Sequence, residues 1–253
     1  MTTASTASRR DTSTSTSTST RPGVGDSGPG ATERAVPQPH LRGAISADEC
    51  EVLLIRHARS DDVVPGSEES ADPPLHPLGR EQAAKLATRL QAKTLHAVFS
   101  SHLARARQTA LPLAERHGLE IQIFPDLEEA RLGDWSNGEF RRRAATLDPE
   151  WVAWSKTGRW DGIPGGEGDE ALRLRVAGVI DGLAATHAGQ CIAVVTHGGA
   201  IGAYLAHLFG IHRSIWLAVE NTSITKIVLG ANGAAVITAN DCNHLYDSVL
   251  GPN

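Results

Sequence analysis

The chain has 253 residues, of which 40% are hydrophobic, 21% charged and 4% aromatic, with a formal net charge of −5. These figures exclude a chain disordered throughout and a collagen-like or coiled-coil rod, and the acidic balance argues against nucleic acid as a partner. They leave room for a small anionic substrate, because a local cluster of Arg fits inside an acidic protein.

Residues 1–45 are dominated by Ser, Thr, Pro and Gly, with an alternating run from Thr12 to Thr20. Such a segment buries too little apolar surface to offset its ordering entropy, so it is expected to be a disordered tail ahead of one domain at 46–253. It has no apolar signal-peptide core, and no apolar run approaches the ~20 residues that span a bilayer, so no membrane association is expected. Cys50, Cys191 and Cys242 are odd in number and widely spaced. They predict reduced thiols and a cytoplasmic location, without a disulfide framework or a zinc site.

In chain order, the patterning predicts a buried strand at Glu51–Arg56, a helix at Leu78–Lys93 and a strand at Leu95–Ser100. A helix at Leu103–Arg116, ended by Gly118, and a strand at Leu119–Phe124 follow. Residues 138–157 read as helical but broken at Pro149. Then come a helix at Glu170–His187, a strand at Cys191–Thr196, a helix at Ala200–Phe209, and strands at about Ser223–Leu229 and Ala234–Ala239. Strands separated by helices imply an α/β three-layer sandwich, a mostly parallel mixed sheet flanked by helices. In such folds the functional crevice lies at the carboxyl ends of the strands.

Two strands deliver a histidine at that end: one runs into Arg56-His57-Ala58, the other into His197-Gly198-Gly199. The glycine pair lets the chain turn into a helix, whose first amides, beginning at Gly198, favour an anion. A third segment, Ser100-Ser101-His102-Leu103-Ala104-Arg105, places a guanidinium near a helix start, where it can join backbone amides on phosphate oxygens. The fourth, Leu127-Glu128-Glu129 followed by Gly133-Asp134-Trp135, offers a loop carboxyl as general acid.

Together these segments resemble the histidine phosphatase superfamily, the phosphoglycerate-mutase-like proteins, over about residues 50–240. Further echoes are Leu75 through Gly79 to Gln82-Ala83, Pro164-Gly165-Gly166-Glu167 and Asn221-Thr222-Ser223. The resemblance implies a phosphoglycerate-mutase-like fold in which His57 is the nucleophile that becomes phosphohistidine. It implies that Arg56, Arg105, His197, Ser60 and the Gly198 amide hold phosphate, and that Glu129 gives the leaving group its proton, with Glu128 the alternative. Neither metal nor cofactor is implied. The chain departs from the family pattern at Ala58, Val63, Asn137 and Gly168, none of which removes a catalytic group.

Specificity is expected from residues 138–160 acting as a lid. There Arg141, Arg142, Arg143 and Lys156 either meet a second anionic group or are solvated, and Trp151, Trp154 and Trp160 either meet the substrate or pack the lid. Asp61, Asp62, Glu68, Glu69 and Asp72 form an acidic loop that either guards the pocket or is merely exposed. The expected function is a metal-independent phosphatase acting on a small phosphomonoester metabolite. A 2,3-bisphosphoglycerate-dependent phosphoglycerate mutase and a phosphohistidine or phospho-ligand regulatory protein are the alternatives. The oligomeric state, a homodimer included, is left open.

Overall fold

In the first predicted strand, polar alternation is absent. Seven of the eight residues of Glu49–Arg56 (β1) are buried, as are all six of Cys191–Thr196 (β4) and all four of Ala97–Ser100 (β2). Continuous burial of this kind needs a strand covered on both faces. The computed structural model, which describes residues 45–67 and 70–246, shows that cover. Residues 1–44 of the expected tail, together with Glu68 and Glu69, lie outside the described residues.

The sheet has six strands in the order β3-β2-β4-β1-β5-β6, where β3 is Ile121–Ile123, β5 Ile224–Gly230 and β6 Gly233–Asp241. Pairs β3-β2, β2-β4 and β4-β1 are parallel, while β5 and β6 are antiparallel additions at one edge. Alternate β1 side chains go to opposite layers, as the strand period of two requires. Val52 and Leu54 pack with Leu172, Val176 and Ile180 of Asp169–Thr186 (α5) and Ile201 and Tyr204 of Gly198–Phe209 (α6). Leu53 and Ile55 pack with Leu86 of Pro77–Arg89 (α1) and Ala110 and Leu113 of Ala104–His117 (α2). The expected α/β sandwich with a mostly parallel mixed sheet is therefore the fold observed.

Register explains why the two histidines meet. Arg56 lies opposite Thr196, and Val195 lies opposite both Ile55 and Ser100. The residues that follow these strand ends, His57, His197 and Ser101, therefore leave the sheet at one edge.

Several boundaries differ from those expected. The first helix stops at Arg89 instead of Lys93, with Leu90 as its cap. The third strand is only three residues long, because it sits at the sheet edge beside β2 alone. The helical stretch expected to break at Pro149 does so: Glu139–Ala145 (α3) ends first, and Pro149–Ser155 (α4) begins with Pro at its first position. There its missing N–H is no loss, and the Asp148 side chain caps Glu150 N and Trp151 N. All three cysteines are free. Among the described residues no helix is long and apolar enough to cross a membrane.

Candidate active site

The carboxyl ends of the parallel strands open into a cleft of about 700 Å³ whose lining includes Arg56, His57, Ser60, Arg105, Glu129 and Arg141. At its floor the His57 backbone is fixed from two neighbouring segments. Its N–H donates to Thr196 O at 2.8 Å, and Asn221 Nδ2 donates to its carbonyl at 2.8 Å. The ring Nδ1 lies 2.7 Å from Ala58 O. A carbonyl only accepts, so Nδ1 carries the ring proton and Nε2 presents a bare lone pair. Arg105 Nε donates to that lone pair at 3.3 Å. Burial, then the charges of Arg105 and Arg56 and, more weakly, Arg141, hold the His57 pKa well below the ordinary histidine range, against the opposing bond to Ala58. His57 is thus neutral near pH 7, with the lone pair of Nε2 turned toward Arg105.

His197 stands behind His57, with ring centroids 5.0 Å apart, and is 0% exposed. Burial, then the charges of Arg105, His57 and Arg56, hold its pKa well below the usual range too. Its Nε2 lies 3.0 Å from Ser101 Oγ, which already accepts the Leu103 N–H at 3.2 Å. The Ser101 hydroxyl proton is free to go to Nε2, which leaves the ring proton on Nδ1. That atom has no partner among the described residues, and neither has the buried Arg56 Nε. Two orphaned buried polar atoms beside the His57 ring mark a site that a ligand completes. Gly198 does not line the cleft itself; its Cα side lies against the Arg56 side chain, and it begins α6.

The two glutamates part company. Glu128 pairs with Arg131 at 2.6 Å. Glu129 turns the other way, onto the start of α6: Oε2 accepts from Gly199 N, and Oε1 from Ala200 N, each at 3.1 Å. Burial lowers the Arg105 pKa, and Glu129 is the strongest charge opposing that. Of the two glutamates, Glu129 is the one whose charge acts on Arg105 beside His57.

Residues 52–242 match the family described as the histidine phosphatase superfamily (branch 1). The chain belongs to the histidine phosphatase superfamily. A "Probable phosphoglycerate mutase GpmB" of Proteus mirabilis (strain HI4320) is 30% identical over 212 residues, 79% of this chain and 97% of the relative. The α-ribazole phosphatase of Shigella flexneri is 28% identical with a TM-score of 0.63, over 76% of this chain and 96% of that one. A mycobacterial glucosyl-3-phosphoglycerate phosphatase, solved with VO3, is 26% identical with a TM-score of 0.64, over 75% and 98%.

Three residues of this histidine phosphatase superfamily member escape a linear reading. Asp72 belongs to the acidic loop, but it is neither a guard nor idle. Both its oxygens accept Ala104 N, at 2.8 and 3.0 Å, and it stands 3.7 Å from Arg105. It caps α2, whose own Leu103 provides no side-chain cap. Arg141 reaches from α3 to Ser60 Oγ at 3.0 Å and Asp61 O at 3.2 Å, so the expected phosphate contact Ser60 is bonded to a third guanidinium. Arg175, on α5, donates to the carbonyls of Asp126, Glu128 and Glu129 at 2.9, 3.1 and 3.2 Å. Glu167 of the Pro-Gly-Gly-Glu segment holds Arg175 in turn, at 2.5 Å, with both side chains 9% exposed. No local sequence signal marks Arg175; its ion pair with Glu167 exists only in the fold.

The open readings of the lid divide residue by residue. Arg142 and Arg143 pair with Glu139, and Arg143 also with Asp148 and Glu150. Trp151 and Trp154 pack on Phe140 within 6.4 and 5.3 Å between ring centroids. Only Arg141 of the arginine run, and Trp160 of those tryptophans, line the cleft. Among the described residues no group of three or more His, Cys, Asp or Glu could hold a metal ion.

The neutral histidines set a pH dependence of stability. His57 and His197 are depressed as described, and burial pushes His244 down to about 4. The unfolded chain takes up protons below about pH 6.5 that the folded chain refuses. Stability should be flat above about pH 6.5 and fall as the pH drops below it, by about 1.4 kcal/mol per unit for each histidine whose two states differ by a full proton. Urea midpoints between pH 8 and pH 5 should show this fall, and His57→Gln should reduce its slope; an unchanged slope would contradict the assignment.

Proposed function

We propose that this chain is a phosphomonoesterase that hydrolyses a small phosphorylated metabolite without a metal, through a phosphohistidine on His57. The observation that carries the reading is the bare Nε2 of His57, held neutral under Arg105 and beside the unpartnered Arg56 Nε and His197 Nδ1.

Phosphoryl transfer is chiefly positioning and charge stabilisation. When a phosphomonoester enters, Arg105 gives its N–H to a phosphoryl oxygen and so releases the His57 lone pair it otherwise covers. Nε2 attacks phosphorus in line, the bond to the ester oxygen breaks, and Glu129 passes its proton to the departing alkoxide. The product is an alcohol and a phosphohistidine. Water then attacks phosphorus, Glu129 takes one proton from it, the P–N bond breaks, and inorganic phosphate leaves with His57 neutral again. The covalent step replaces one difficult displacement with two easier ones.

Names among the relatives divide between phosphatases and a mutase, and the two activities need the same groups. They differ in whether water reaches the phosphoenzyme. The test is phosphate release from a panel of phosphomonoesters in EDTA, with and without 2,3-bisphosphoglycerate. Release that persists in EDTA and does not depend on the bisphosphate is the expected result. Interconversion of phosphoglycerates that requires the bisphosphate, without net phosphate, would establish the mutase instead.

A further inference from the structure

We propose that the substrate is a phosphomonoester of a neutral alcohol with an apolar, ring-bearing body, and that the cleft disfavours phosphates carrying a second anionic group. This rests on the phosphatase reading above and adds to it the chemistry of the leaving group.

Positive charge is concentrated at the inner end of the cleft. Arg56, Arg105 and Arg141 all act on His57, where the phosphoryl group must sit. The other two arginines of the cleft lining each face a carboxylate, Arg131 closely and Arg59 across an exposed pair. Arg59 faces Asp62 at 3.9 Å, and Arg131 faces Glu128 at 2.6 Å and Asp126 at 3.5 Å. A phosphoryl dianion occupies the inner three. A carboxylate or second phosphate further out would meet only guanidiniums that already have a carboxylate partner, with Glu128 and Asp62 themselves in the wall. Binding it would oppose like charges and leave an anion poorly compensated.

The path of the leaving oxygen points the same way. Glu129, which protonates it, is adjacent to Trp160: a Cβ placed on Gly199 would collide with both the Glu129 carboxyl and Trp160 Cζ2. The organic remainder therefore starts at an indole edge. Phe140 follows at 6.1 Å from Trp160, then Trp135 at 6.2 Å from Phe140, as distances between ring centroids, and all three line the cleft together with Leu103 and Leu132. Aromatic walls favour apolar or planar partners by burial and by edge-to-face contact. Size agrees with this. A cleft of about 700 Å³ is far larger than a phosphoryl group and lies in the range of sites that enclose whole small organic molecules.

The test compares three alkyl phosphates, all with poor alkoxide leaving groups: 3-phenylpropyl phosphate, glycerol 1-phosphate and 3-phosphoglycerate, with p-nitrophenyl phosphate as control. Wild-type kcat/KM should be about 10–100-fold higher for the phenylpropyl ester than for glycerol 1-phosphate, the worth of burying one ring, with 3-phosphoglycerate lowest. Phe140→Ala should cut the phenylpropyl value by about tenfold and change the glycerol ester by less than about threefold, whereas Phe140→Leu keeps most of the apolar contact. Should Phe140→Ala fail to fold, the wild-type order and the Leu variant still decide. Equal or faster hydrolysis of 3-phosphoglycerate, or equal losses on every ester in a folded Phe140→Ala, overturns this substrate class while p-nitrophenyl phosphate turnover keeps the phosphatase reading intact. No turnover of any of the four overturns that reading itself, and this proposal with it.

Discussion

Replacing His57 by Ala should abolish phosphate release, with kcat/KM lowered on the order of 10⁵–10⁶, the scale seen when a covalent nucleophile is removed from an otherwise intact site. Among the described residues the other cleft-side histidine is not placed to substitute for His57. His197 is 0% exposed, does not line the cleft and is bonded through Nε2 to Ser101. Phosphate binding should survive, because Arg56, Arg105 and Arg141 are held by partners other than the His57 ring: Val219 O, Asp72, and Ser60 with Asp61 O. Calorimetric titration with inorganic phosphate should therefore give a Kd within about tenfold of wild type while turnover vanishes, a split between binding and chemistry. Rapid quench with a labelled ester should trap an acid-labile, base-stable phosphoryl group on the wild type and none on His57→Ala. A variant that keeps more than about one part in a hundred of the activity would place the nucleophile elsewhere.

How far the site was legible in the chain depends on how far apart its parts lie. His57 and His197 were readable because each ends an apolar strand, and parallel register then aligns the two ends without further information. Arg105 was readable from a helix start one residue after a strand-to-helix turn. Asp72 was not. It caps a helix 32 residues further on, and nothing in a Ser-, Asp- and Pro-rich loop says which carboxylate will reach back. Arg141 meets Ser60 across 81 residues, and Arg175 meets the Glu129 carbonyl across 46. Such pairs are fixed by the crossovers that place β1 beside β4, and not by any local period. Glu128 and Glu129 were inseparable for a different reason. They are neighbours in an irregular loop, and only the packing of that loop between Arg175 and the first turn of α6 sends one to Arg131 and the other to the Gly199 and Ala200 amides. The aromatic lid was ambiguous in the same way, since a tryptophan that packs and one that lines a cleft have identical sequence signatures.

Glu129→Gln should slow hydrolysis of alkyl phosphates by about 10²–10⁴, the worth of a positioned general acid, and p-nitrophenyl phosphate by less than about tenfold. Nitrophenolate departs without a proton, whereas an alkoxide does not, so only the alkyl ester needs what the amide cannot give. The amide oxygen can still accept the N–H groups of Ala130 and Ala200 that now go to Oε1. Its NH2 then faces the Gly199 N–H that now goes to Oε2, a mismatch that costs about 1–3 kcal/mol of stability, readable as a lower urea midpoint. Gly199→Ala tests the same donor without changing its chemistry. A methyl group there meets the carboxyl and the edge of Trp160, so the donor is displaced and the same leaving-group signature should appear. Glu128→Gln, whose partner is Arg131, should leave the ratio of the two substrates unchanged. Equal losses on the alkyl and nitrophenyl esters in Glu129→Gln would show that Glu129 only shapes the loop. A changed ratio in Glu128→Gln would move proton donation to its neighbour.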